Sequence, residues 1–282
     1  MQLEYVSCYI CNTQQAEMWA KENAYQMVRC ANCGLVYLNP RPCLSDIDVS
    51  TRIGMHRVRT GMLNTLGRYS SRKVSQFTLK ISELFPDEEL KSKPCRWLDI
   101  GAGYGEFIQA VTNLTALGSD LLGIEPCEVK VKKGKSLGIP LTNICLSDVH
   151  TKFTHVSLIN VFSHLPNPIE FLSEIKSHME PGCQLILVTG NGADIPREEF
   201  PGSLYLPDHL SFIGEGHIKA ILGNAGFTVK AIKRYREGPS NDSYFIGLLK
   251  NIARVVLGRR PVPLKVPETS RFRILWVRAE LQ

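Results

Sequence analysis

The sequence predicts an α/β fold: a doubly wound, mostly parallel sheet of seven strands, with a small N-terminal four-cysteine module. Three observations predict it. The apolar run Trp97-Leu98-Asp99-Ile100 passes directly into Gly101-Ala102-Gly103-Tyr104-Gly105-Glu106, a buried strand turning into a helix through glycines at alternate positions. Strand and helix patterns alternate from residue 94 to 235, which specifies parallel strands with helices on both faces. Ahead of them, Cys8-x-x-Cys11 and Cys30-x-x-Cys33 enclose 18 residues, the spacing of two knuckles closing on one metal.

The N-terminal module is drawn over residues 1–44. Each C-x-x-C turn sets two thiolates on one side of an ion, so Cys8, Cys11, Cys30 and Cys33 are the candidate ligands of a structural Zn2+. The regular spacing disfavours four unrelated buried thiols. Between the knuckles, Met18–Ala20 and Tyr25–Val28 suit two short strands. Gly34-Leu35-Val36-Tyr37-Leu38 reads as a third, stopped by the prolines at 40 and 42, and Cys43 is a spare thiol.

Residues 45–93 read as a helical lid or linker, with one helix over about Tyr69–Phe85. Its basic residues Arg52, His56, Arg57, Arg59, Arg72 and Lys73 either face a phosphate-bearing acceptor or form a solvated surface. The core, 94–235, reads as strand Cys95–Ile100, helix Gly105–Leu114, strand Leu121–Glu125, helix Cys127–Leu137, strand Leu141–Ile144, strand His155–Val161, helix Pro168–Met179 and strand Gln184–Thr189. Gly190–Pro207 is a Gly/Pro-rich connection long enough to be a lid, followed by helix Glu215–Asn224 and strand Phe227–Tyr235. The last segment, 236–282, reads as a basic amphipathic helix, Ser243–Leu257, and a final strand, Arg271–Arg278.

Ligands of such sheets bind beyond the carboxyl ends of the strands, where every motif here falls. Roughly twenty residues after the glycine turn, Asp120-Leu121-Leu122-Gly123-Ile124-Glu125 ends in an acid placed to take a ribose diol. The turn is not a dinucleotide fingerprint. That pattern needs Gly-x-Gly-x-x-Gly, whereas here Gly105 is followed by Glu106, which repels a pyrophosphate at the helix N-terminus. A nucleoside with a cationic tail suits it better. On these residues the chain resembles the class I methyltransferases that use S-adenosylmethionine, with a Rossmann-like sheet. The resemblance implies a cofactor-binding set of Asp99, Gly101, Gly103 and Gly105 around the methionine end, Glu125 and Pro126 at the ribose, Asp148 and Val149 at the adenine, and Asn160 beyond the fourth strand.

The knuckles followed by Gly-Leu-Val-Tyr-x-Asn-Pro-x-Pro further resemble the zinc modules of bacterial methyltransferases of deoxysugar, lipopolysaccharide and capsule pathways. In that family the fourth strand continues Asp-Val-x-Glu-His-Leu-Pro-Asp-Pro; this chain has Asn160 and Ser163 in place of two acids and keeps His164. Its Asp208-His209-Leu210-Ser211-Phe212 resembles the family's Glu-His-x-Ser-Phe-Phe. His209, assisted by Asp208, is therefore the first candidate general base, with His164 second. The structural alternatives are that His209 anchors its loop and that His164 caps the next helix. The expected acceptor is a hydroxyl of a sugar, nucleotide sugar or surface glycan. Oxygen is favoured over carbon because the family's carbon enzymes carry a further C-terminal domain.

Charge sorts the remaining classes. The net +6 is concentrated in the flanks, with 12 basic against 4 acidic residues in 228–282 but 3 against 3 in 1–44. A neutral small module disfavours nucleic acid and with it the alternative of a zinc-module RNA methyltransferase. A non-catalytic S-adenosylmethionine-binding protein is the other alternative, prompted by Asn160 and Ser163. The basic C-terminal region is open between an oligomer contact, a membrane surface and anionic groups. No signal-like start or spanning stretch is read, so the expected setting is cytoplasmic.

Overall fold

The computed structural model describes residues 2–58, 61–86, 88–200, 202–236, 241–262 and 273–282, with residues 241–245 described by their backbone alone. Arg59 and Arg271 lie outside the described residues. At the N-terminus, β1 (Leu3–Glu4) and β5 (Arg41–Pro42) pair antiparallel around a meander of β2 (Ala16–Glu22), β3 (Tyr25–Cys30) and β4 (Val36–Leu38). The next elements are α1 (Leu44–Ile53), the hairpin β6 (Met55–Val58) and β7 (Gly61–Asn64), and α2 (Ser71–Ser82). Only α2 was expected there. α1 and the hairpin escape a pattern reading because α1 fully buries none of its residues, so it carries no apolar stripe of core width.

The core then runs β8 (Arg96–Ile100), α3 (Glu106–Thr112), β9 (Asp120–Ile124), α4 (Glu128–Lys135), β10 (Leu141–Thr142), β11 (Phe153–Ile159), α5 (Pro168–Lys176), β12 (Met179–Gly190), β13 (Ser211–Phe212), α6 (Glu215–Asn224), β14 (Phe227–Arg236), α7 (Asn241–Val256) and β15 (Arg273–Leu281). Seven strands form the main sheet in the order β10-β9-β8-β11-β12-β15-β14. The first five are mutually parallel, and β15 is antiparallel to both neighbours. A boundary at residue 235 therefore cuts through the sheet. The last strand pairs with β12 on one side and β14 on the other, so the segment after 235 is not an appendage.

Both faces of the sheet are covered, and its strands alternate between them. Leu185 and Leu187 of β12 pack with Leu275 and Val277 of β15 on one face, while Ile186 and Val188 pack with Trp276 and Trp97 on the other. Each such Leu or Ile, removed from water, contributes about 1.5–3 kcal/mol. α5 starts at Pro168, its N-cap Asn167 accepting from Glu170 N–H. Among the described residues no helix is long and apolar enough to cross a membrane.

The cysteine module is not a free-standing unit. β13, from the chain after the fifth parallel strand, pairs antiparallel with β4 and extends the module's meander to four strands. The strand ends at Ile100, Ile124 and Ile159 lie along one edge of the main sheet, and the functional cleft opens there.

Candidate active site

β8 delivers Asp99 and then turns through Gly101, Gly103 and Gly105, all at positive φ. A Cβ on Gly101 would come within 2.5 Å of Val161 Cγ2 and one on Gly105 within 2.6 Å of Ile139 Cγ2, so these two glycines serve close packing. Gly103 differs, since nothing lies within 4 Å of where its Cβ would be. The space beside it belongs to a cleft of about 620 Å³ lined by Asp99, Gly101, Gly103, Glu125, Pro126 and Asn160, among others.

Two carboxylates stand at the strand ends. Trp97 Nε1–H donates to Ser157 Oγ at 3.0 Å, and Ser157 donates to Asp99 Oδ1 at 2.5 Å. Asp99 Oδ2 is buried and has no hydrogen-bond partner among the described residues. Burial, reinforced by the charge of Glu125, pushes the Asp99 pKa up to about 7 against the pull of Ser157. Glu125 accepts from Gly103 N–H at 2.9 Å and Cys127 N–H at 3.0 Å, one bond on each oxygen, and Lys130 Nζ stands 3.8 Å away. Each oxygen keeps a lone pair, enough for a diol. Glu106 is buried beside the turn, where it accepts from Ser70 N–H at 3.1 Å.

These residues fit S-adenosylmethionine. An orphaned carboxylate oxygen suits a cationic tail, the open side of Gly103 admits a chain against the backbone, and Glu125 has acceptors to spare. Asp148 and Val149 are not brought to the cleft. Asp148 is exposed, its Oδ2 accepting from Cys145 N–H at 3.3 Å, and Val149 is buried in the core beside Leu146. Loop capping and packing account for both side chains.

Across the cleft stands a cluster drawn from three distant segments. His56 on β6, His164 on the 3₁₀ turn after β11, and Asp208 ahead of β13 all line it. His56 Nε2–H donates to Asp208 Oδ1 at 2.9 Å. His164 Nδ1 lies 3.3 Å from the same oxygen and 2.9 Å from the Asp208 carbonyl, which can only accept. Nδ1 of His164 is thus the protonated nitrogen, and Nε2 is left with its lone pair. Burial opposes charging His164, but hydrogen bonds to Asp208 and the Asp208 charge outweigh it and raise its pKa. Burial likewise opposes the charged form of Asp208, and the two imidazoles overcome it, holding its carboxyl far below the usual range.

His209 does not join this cluster. Its Nδ1–H donates to Leu204 O at 2.8 Å and its ring packs against Phe212 and, at 4.8 Å between centroids, against His164. It does not line the cleft, and burial together with the charge of His164 lowers its pKa to about 4. Asp208 faces the two other histidines instead of its chain neighbour, so the expected Asp208–His209 pair is replaced by His56–Asp208–His164. In the sequence His56 stands out only as one of several basic residues of its segment. Adjacency in sequence points to His209, and only the non-local hairpin brings His56 in.

The four cysteines converge as the spacing requires. Their Sγ atoms lie within 4.8 Å of one another, with Cys8–Cys33 at 3.4 Å and Cys11–Cys30 at 3.5 Å. A tetrahedral thiolate site with metal–sulfur bonds of about 2.3 Å has edges of about 3.8 Å, which matches. The module is also tied to the chain that follows β12. His217 Nε2–H donates to Cys33 O at 2.7 Å, Arg29 donates to Ala193 O at 3.1 Å, and Tyr9 and Ser211 share a hydrogen bond. Glu22 accepts from Leu204 N–H, Leu206 N–H and Ser203 Oγ–H. The connection after residue 190, expected to be a lid, is thereby strapped to β2 and β3 in its described residues.

A family model described as a methyltransferase domain matches residues 66–232. No curated protein sequence matches the chain. Solved structures similar in fold include an S-adenosylmethionine-dependent methyltransferase from Thermotoga maritima described as a possible histamine N-methyltransferase (16% identity, 74% of this chain and 89% of that one, TM-score 0.49). A second is an S-adenosylmethionine-dependent methyltransferase from Archaeoglobus fulgidus (22% identity, 73% and 94%, TM-score 0.48). A third is the magnesium protoporphyrin IX methyltransferase of Synechocystis with bound S-adenosylmethionine (16% identity, 75% and 79%, TM-score 0.46).

Proposed function

The chain belongs to the methyltransferase-domain family, whose donor is S-adenosylmethionine, and on that premise we propose that its acceptor is a hydroxyl of a sugar, nucleotide sugar or surface glycan. The observation that carries the reading is the His56–Asp208–His164 cluster facing the glycine turn across the cleft. A hydroxyl is a poor nucleophile until its proton is taken, and an imidazole with a carboxylate behind it is built for that task.

When bound, S-adenosylmethionine supplies a methyl group made electrophilic by the sulfonium. Everything else falls to the chain. Asp99 and Glu125 are the residues that would hold the donor at the strand ends, with the open side of Gly103 beside them. His164 Nε2 accepts the acceptor's proton. Asp208, through its carboxylate and its carbonyl, fixes the ring and stabilises the imidazolium, and His56 keeps that carboxylate in place. Positioning carries much of the acceleration, since direct displacement needs alignment above all.

Zn2+ in the four-cysteine site is structural in this reading, because all four ligands come from the protein and no position is left open. A cytoplasmic setting is consistent with thiolates kept for a metal. The test is transfer of labelled methyl to a panel of nucleotide sugars and glycans by the zinc-loaded protein, with bulk RNA in parallel. Turnover of a hydroxyl acceptor that falls about 10²–10⁴-fold in His164→Ala supports the reading. Turnover of RNA alone, or full activity in His164→Ala on the true acceptor, sinks it.

A further inference from the structure

Among the described residues, α7 presents an amphipathic face that the catalytic reading leaves unused. Ile246, Leu249, Ile252, Val255, Val256 and the following Leu257 are between 52% and 80% exposed. At about 100° per residue they spread over roughly 200° of the helix surface. Lys250 and Arg254, four residues apart, stand in the remaining sector, Lys250 at the border of the apolar arc, and the chain after the helix adds Arg259 and Arg260. That tail is folded back onto the helix. Arg254 Nε–H donates to Arg260 O at 3.0 Å, while Asn251 and Val262 exchange two hydrogen bonds at 2.6 and 2.9 Å. Exposed apolar side chains opposite and beside clustered arginines are the composition of a helix that lies in a membrane interface. At 16 residues, about 24 Å, α7 is too short to cross.

Its attachment points add direction. The chain leaves the main sheet at Arg236 and re-enters at Arg273, which are partners in the β14–β15 ladder, and the neighbouring pair Gly190–Ile274 joins β15 to the end of β12. Both points therefore lie on the edge where β8, β9 and β11 end and the cleft opens. We propose that α7 lies flat on an anionic membrane surface and holds the cleft-bearing edge of the sheet towards it. Charge selects this occupant over a second copy of the chain. Residues 228–282 carry 12 basic against 4 acidic side chains, an excess that a second copy would double and that acidic lipid headgroups neutralise.

The test is co-sedimentation of the full chain with vesicles of phosphatidylcholine alone or with a third phosphatidylglycerol, at low and high salt. Binding confined to the anionic vesicles is expected, falling about fivefold for each basic side chain lost in Lys250→Glu and Arg254→Glu. It should fall at least tenfold in the double variant Leu249→Glu/Ile252→Glu, whose S-adenosylhomocysteine affinity stays at the wild-type value because the helix lies outside the cleft lining. Equal binding to neutral vesicles, no binding to either, or a dimer in sedimentation equilibrium that the double variant dissociates would each overturn the proposal. Neither acceptor nor turnover enters this readout, so its failure leaves the methyl-transfer reading standing.

Discussion

The two walls of the cleft treat an aspartate in opposite ways. On the glycine-turn wall, Asp99 has a serine on one oxygen, nothing on the other and Glu125 as its charged neighbour, and burial pushes its pKa up to about 7. On the facing wall, Asp208 is buried too, but two imidazoles converge on it and its carboxyl stays ionised. The lesson is that burial alone does not set a charge; the partners do. One wall keeps an electrostatic deficit that a cation can fill. The other is already satisfied within the protein, and it spends that charge on the basicity of His164.

The comparison breaks first at Asp99. Asp99→Asn keeps the shape and removes the capacity for charge, and S-adenosylhomocysteine affinity measured by calorimetry should fall by about 100-fold, roughly 2.7 kcal/mol. The same variant should melt several degrees higher in the ligand-free state. The sign follows from linkage. With a folded pKa near 7 against about 3.9 unfolded, the native state holds a proton that the unfolded chain has lost, so wild-type stability falls as pH rises from 4 to 7. Unchanged affinity would make Asp99 a packing group and erase the contrast between the walls.

A smaller effect is expected on the facing wall. The raised pKa of His164 puts the ascending limb of kcat/KM above the usual histidine value of about 6.5, since the base must be neutral to act. Asp208→Asn should move that limb to lower pH and reduce its plateau by about 10–100-fold. A limb that stays in place would show that Asp208 does not tune the ring. Smallest is Gly103→Ala, where the added methyl enters space that the protein leaves open. It should raise the KM for S-adenosylmethionine several-fold at a stability cost of about 1 kcal/mol, the penalty of a Cβ at φ 58°. A KM unchanged at that position would mean that the donor does not lie against Gly103.

What the sequence revealed and what it concealed divide along the same line. Asp99, the glycines and Glu125 are legible because they sit within one β-α-β unit, whose strand, turn and helix follow one another in the chain. The four cysteines are legible because their spacing is the geometry. Asp148 and Val149 are assigned from the family resemblance alone; in the structure the acid caps its own loop and neither side chain lines the cleft. His209 adjoins Asp208 in sequence, yet the two sit on a turn whose N–H groups both donate to Tyr205 O, and their side chains part there, His209 to Leu204 O and Asp208 to His56 and His164. His56 reaches the same carboxylate from a hairpin about 150 residues upstream, a distance no periodicity spans. α1 stayed hidden because it lines a cleft and buries no residue.

The position of β15 has a consequence for how the chain is made. As the chain emerges from the ribosome, β12 and β14 have no partner for their facing edges until residues 273–281 are synthesised, because the strand that joins them follows both in the chain. Leu275, Trp276 and Val277 are almost wholly buried in the finished sheet, so until then the slot between β12 and β14 stands apolar and open. Cooperative folding of this sheet depends on residues 273–281, and until they are made two unpaired strand edges stand exposed to other chains. Loss of those residues in a truncated product should make it a substrate for chaperones and proteases, even though every residue around the cleft is intact.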